Sequence, residues 1–182
     1  MNAGFLIGNK INLRKLTIVD ATEEYLSWLN NYEVVKYTES RFFPQSIKEI
    51  ERYIENCNNF NNVTFAIIDN EQKTHIGNIK LGDINWIHRY ADIGLIVGNS
   101  TFWGRGIATE AIGLVADYGF KQLNLRKIVA GVYSKNIASQ KAFEKNGFSI
   151  SYKEKEKYFF EGEYIDGIVL EKCASYLCKG VE

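Results

Sequence analysis

The chain has 182 residues, 46% hydrophobic and 24% charged, the size and balance of one globular domain spanning 1–182. Twenty-two basic residues meet twenty-two acidic ones, and this neutrality argues against a nucleic-acid partner, which usually calls for a basic excess. No stretch approaches the roughly 18 uninterrupted apolar residues of a membrane span. The first ten residues lack a basic leader and apolar run, so the expected location is the cytoplasm, with no membrane partner. Cys57, Cys173 and Cys178 form an odd set without a CxxC pair, and His75 and His88 are the only histidines. No metal site is expected, and the thiols read as reduced.

In chain order, residues 11–16 alternate apolar and polar and predict a strand. Residues 20–30 predict a helix with Tyr25, Leu26 and Leu29 on one face and Asp20 as its cap. Residues 31–44 are irregular and aromatic. Over 46–59, Ser46 and Glu49 make a capping box and Ile47, Ile50 and Ile54 a stripe, predicting a second helix. Strands are expected at 63–69, 74–81 and 91–97. Residues 106–120 predict the longest helix, with Ile107, Ala111, Leu114, Val115 and Tyr118 at helical spacing. A strand at 127–133, a helix at 136–146 closed by Gly147, and strands at 148–160 and 163–171 around Gly162 complete a mixed α/β order with one central sheet.

Chemistry concentrates at Trp103-Gly104-Arg105-Gly106-Ile107-Ala108-Thr109. Small residues between a strand and a helix let backbone N–H groups approach a ligand. The helix start adds about half a positive charge, so the segment suits a phosphate or pyrophosphate; a plain tight turn explains the same residues. It is not the dinucleotide fingerprint, since Thr109 stands where the third glycine belongs, and it is not a P-loop. Downstream, Asn136 and Ser139 lie three apart on one helix face, followed by Phe143 and Gly147-Phe148. Asn136 also reads as an ordinary N-cap.

These motifs, in this order, resemble the GCN5-related N-acetyltransferases, over nearly the whole chain from about Asn9 to Lys172. Segments 103–111 and 136–148 are similar to the RimJ/RimL-type branch. Residues 77–79 and 85–94 are similar to its PseH-like members, which acetylate amino groups of nucleotide-linked sugars. The resemblance implies a twisted, mostly antiparallel sheet of about seven strands with about four helices, splayed between 91–97 and 127–133. It implies acetyl transfer from acetyl-CoA to a primary amine. Backbone at Ile96 and Val97 would hold the pantetheine arm and one N–H would face the oxyanion. Residues 103–109 would take the pyrophosphate, with Asn136, Ser139 and Phe143 completing the CoA site.

Two departures stand out. Trp103 replaces a common Arg or Gln, and Phe143 replaces the Tyr that protonates the leaving thiolate in many members. Ser139, Tyr133 or water would then serve, or the acid is dispensable, since a thiol of pKa about 8.5 leaves tolerably at neutral pH. For the base, Asp92 is the first candidate and His88 the second; a solvated charge and an exposed loop residue are their plain alternatives. The acceptor is expected at Glu39, Arg41 and Phe42, with Trp86 and His88. Aromatics there would stack a base and Arg41 would take a phosphate. An amino-sugar nucleotide is the leading acceptor, a protein N-terminus the second, and a CoA-binding domain without turnover the third. The expected assembly is a monomer or homodimer.

Overall fold

The computed structural model describes residues 4–174. Eight strands form one sheet in the order β1-β2-β3-β4-β5-β6-β8-β7. They are β1 (Leu6–Ile7), β2 (Ile11–Lys15), β3 (Val63–Asp69), β4 (His75–Asn85), β5 (Tyr90–Val97), β6 (Lys127–Tyr133), β7 (Ser149–Phe160) and β8 (Glu163–Cys173). Every neighbouring pair is antiparallel except β5 with β6. That parallel pair needs a crossover, which α4 (Ile107–Lys121) supplies. The other helices are α1 (Glu23–Leu29), α2 (Tyr32–Val35), α3 (Ile47–Asn56) and α5 (Ile137–Glu144).

The alternating side chains of the strands divide the core by face. On one face Ile11, Phe65, Ile79, Ala91, Ile93, Ile128 and Ala130 pack against Ile107, Ala111, Ile112 and Val115 of α4 and Phe143 of α5. Each fully buried aliphatic side chain stabilises by about 1.5–3 kcal/mol. On the other face Leu16 and Ala66 pack with Tyr25 and Trp28 of α1 and Ile50 and Ile54 of α3. Tyr133, Phe160 and Ile165 form a third cluster beside it.

Local signals hold closely. Ser46 and Glu49 form the expected capping box, and Gly162 (φ 89°) follows Glu161 (φ 48°) in the tight β7–β8 turn. Three expectations need correction. Asp20 does not cap α1: Thr22 does, through Tyr25 N–H. Asp20 is instead buried and paired with Arg14 at 2.6 Å, and it accepts the Thr17 N–H at 2.9 Å. Burial opposes its ionisation, yet the guanidinium and that N–H together hold the carboxyl below its ordinary range. The stretch 31–44 is not wholly irregular, since it contains α2 and a 3-10 turn at Glu39–Phe42. The two-residue strand β1 was unmarked by any periodicity. Cys57 is buried and Cys173 half-buried, both free; Cys178 lies outside the described residues.

Candidate functional site

β5 and β6 pair only at Tyr90 with Lys127, Ala91 with Ile128 and Asp92 with Val129. β5 then runs on to Val97 and β6 to Tyr133 without pairing to each other. Their facing backbone groups lack strand partners there. Backbone N–H and C=O groups pair wherever a partner is offered, so the gap suits a ligand carrying amides of its own. A cleft of about 790 Å³ opens at this point, lined among others by Gly94, Ile96, Val97, Gly131 and Tyr133.

At the wide end stands the turn before α4. Gly104 and Gly106 adopt φ of 74° and 82°, a left-handed conformation that strains any side-chain-bearing residue. Gly106 is the N-cap of α4 and offers no side-chain cap, so the first-turn N–H groups remain for an anion. Bulk is not the reason for this glycine: a Cβ there would meet only Lys10 Nζ, at 3.5 Å. The turn is pinned from β2, because Lys10 Nζ donates to the Arg105 carbonyl at 2.7 Å and Lys10 N–H donates to Glu110 at 3.0 Å. Trp103 Nε1 donates to the Val97 carbonyl at 2.7 Å. Trp103, Gly104, Gly106, Ile107, Ala108 and Thr109 all line the cleft. Arg105 is not among the lining residues; its guanidinium lies 5.1 Å from the Phe102 ring.

From α5, Asn136, Ser139 and Phe143 also line the cleft. Asn136 Oδ1 accepts the Ser139 N–H at 3.2 Å, so the residue is an N-cap as well as a wall of the cleft. Phe143 is 1% exposed and packs edge-on against Phe148. Lys141 and Lys145 line the same end; no motif singled them out.

On the sheet face away from α4 the cleft is covered by a lid of α2 and residues 37–43. Tyr133 stacks on Tyr158 with ring centres 3.8 Å apart and planes 11° apart. Its hydroxyl donates to Glu39 at 2.8 Å and accepts from Arg41 at 2.8 Å. Arg41 also donates to the carbonyls of Lys36, Thr38 and Phe159. Both of its terminal nitrogens are therefore engaged within the protein, which removes the expected phosphate ligand. Phe42 lies against that guanidinium, 4.2 Å away, and neither residue lines the cleft. Glu33, Tyr37 and Glu39 do.

Asp92 is the last β5 residue paired on both sides. It shares a sheet face with Gly94 and Ile96. Burial foremost, then the charge of Asp83, pushes its carboxyl up to about 6. Trp86 and His88 are placed elsewhere. They sit in the β4–β5 turn, at the far end of β5 from the cleft, where Trp86 Nε1 donates to the Phe60 carbonyl and the His88 N–H to Asn85. The imidazole of His88 and the resemblance over 85–94 point to this turn, but β5 leads away from it toward the cleft. Among the described residues no cluster of His, Cys, Asp or Glu could hold a metal, and no helix is long and apolar enough to cross a membrane.

Comparison with known proteins agrees with this geometry. A family model described as an acetyltransferase (GNAT) domain matches residues 10–149. The spermidine N(1)-acetyltransferase of Escherichia coli K12 is 28% identical over 139 residues, 76% of this chain and 73% of that protein. An uncharacterized N-acetyltransferase, p20, of Bacillus licheniformis is 31% identical over 161 residues, 81% of this chain and 86% of that one. The crystal structure of spermidine N-acetyltransferase from Vibrio cholerae in complex with CoA and spermine superposes with a TM-score of 0.81 at 29% identity, covering 93% of this chain and 99% of that one.

Gly106→Val places a β-branched residue at φ 82°. We expect the turn to lose its shape while the sheet keeps its fold, with CoA affinity falling roughly tenfold or more. Calorimetric titration with CoA checks this; unchanged affinity contradicts the assignment of the turn to the pyrophosphate.

Proposed function

From the premise that the chain belongs to the GNAT acetyltransferase domain family, whose members include acetyl-CoA-dependent N-acetyltransferases, we propose that it acetylates a primary amine of a small linear polyamine. The observation that carries the acceptor class is the lid. Glu33 and Glu39 put two carboxylates on the cleft, while Arg41 is spent on internal bonds. Glu33 is balanced by Lys36 at 2.8 Å across an exposed pair, and such a pair contributes about 1 kcal/mol or less. An acceptor ammonium can replace that lysine at little cost. The spermidine acetyltransferases among the relatives support the same class. One feature favours the amino-sugar nucleotide instead: the aromatic wall of Tyr37, Tyr133 and Tyr158, the last two stacked, would suit a base.

Acetyl-CoA supplies an acyl carbon activated as a thioester. The residues of this chain hold it and manage the protons. The β6-facing edge of β5 from Gly94 to Val97, paired only with β4, takes the place of a partner strand for the pantetheine amides. One N–H of that edge stabilises the oxyanion. The first turn of α4, with Lys141 and Lys145 beside it, holds the phosphates. Asp92, at the point where the strands part, removes a proton from the incoming ammonium, directly or through one water.

Purified protein mixed with acetyl-CoA and a panel of amines, with free thiol followed in time, tests the reading. Spermidine or spermine should release thiol and yield an acetylated product by mass. Turnover restricted to an amino-sugar nucleotide would transfer the assignment to that acceptor. Turnover restricted to peptide N-termini would contradict both.

The base makes a pH prediction. Asp92 must be ionised to accept a proton, and its carboxyl titrates at about 6. With the preferred amine, kcat/KM should therefore rise through pH 6. Asp92→Asn should abolish that step and lower turnover about a hundredfold. A variant that keeps both the rate and the acid limb contradicts the role.

A further inference from the structure

Phe143 leaves the thiolate without the expected proton donor, and the cleft holds another phenol. Beyond the last β5–β6 pair, Asp92 with Val129, the residues two steps on are Gly94 and Gly131, on the lid face of both strands. Neither has a positive φ. A Cβ added at Gly94 would meet nothing within 4 Å. Backbone strain and crowding by the protein both fail to explain this glycine, so the space above it is free for substrate. A Cβ added at Gly131 would meet one atom, the hydroxyl of Tyr158, at 3.5 Å. That hydroxyl therefore overlooks the slot at the narrow end of the cleft, where a donor lying between β5 and β6 from the α4 turn brings its thioester.

Tyr158 is held there firmly. A register shift in β7 between Glu154 and Tyr158 sets its position against β8. Its ring lies on Tyr133, which Arg41 and Glu39 fix through its own hydroxyl. Those bonds also separate the two phenols in role. The proton of Tyr133 is already given to Glu39, whereas the hydroxyl of Tyr158 faces the slot.

Resting on the transferase reading above, we propose that Tyr158 protonates the leaving CoA sulfur, the part that Phe143 cannot play. The amine nitrogen bonds to the acyl carbon, and the C–S bond then breaks with its electron pair on sulfur. The Tyr158 O–H proton passes to that sulfur. The nitrogen loses two protons over the turnover: one replaces, through solvent, the proton given by Tyr158, and the other leaves as the net proton of the reaction.

Tyr158→Phe keeps the stacked ring and removes only the hydroxyl. Its kcat should fall about a hundredfold, with acetyl-CoA affinity and melting temperature unchanged, and the alkaline limb of the kcat profile should vanish. Adding Phe143→Tyr to that variant, which supplies a phenol from α5, should recover at least about a tenth of the lost rate. A Tyr158→Phe enzyme with the parent kcat and pH profile overturns the proposal. So does a loss confined to KM or to acetyl-CoA affinity, which would mark Tyr158 as a wall of the cleft only. A parent enzyme that binds acetyl-CoA yet acetylates no amine overturns the transferase reading, and with it the proposal, before any variant is made.

Discussion

The interruption of pairing between β5 and β6 is the constraint on which the rest depends. Two neighbouring strands of a sheet share three residue pairs and then part. The parting leaves backbone donors and acceptors without strand partners along an open cleft, where a ligand with amides of its own can pair with them. The parallel crossover through α4 makes this possible. It returns the chain to the adjacent position and sets the helix N-terminus at the open end of the gap. One arrangement of backbone thus yields both a slot for an extended, amide-bearing chain and a charge-complementary seat for its phosphates.

The lid shows a division of labour among charged groups. Arg41 looks from its charge like a ligand for anions, yet its bonds run to three carbonyls and a phenol. It ties residues 36–41 to β6 and β7, and further ties link Tyr32 to Glu161 and Tyr37 to the Lys135 carbonyl. Glu33, paired with Lys36, and Glu39, which accepts the Tyr133 hydroxyl, line the cleft together with that lysine. A count of lid charges alone conceals which of them reach the cleft and which are spent on internal bonds.

Legibility in the sequence followed the range of the interactions. The capping box at Ser46, the turn before α4 and the N-cap at Asn136 depend on neighbours a few residues away, and each was visible. The substitution of Phe143 was visible for the same reason. Asp20 misled because a capping residue and a buried ion-pair partner look alike until Arg14 is brought against it by β2. Trp86 and His88 lie next to β5 in sequence, yet the β4–β5 turn sets them at the end of that strand away from the cleft. Tyr158 was invisible, since its position depends on a register shift in a strand far along the chain and on stacking with β6. Gly94 carries no turn signal, and its meaning emerges only from the empty space above it.

Hydrogen–deuterium exchange of the β5 and β6 amides with and without acetyl-CoA tests the central claim most directly. Amides that face the gap between Gly94 and Val97 should gain protection on binding, while those of Tyr90 to Asp92, already in the sheet, should change little. Binding of acetyl-CoA that leaves exchange over 94–97 unaltered would contradict a donor lying between the parted strands.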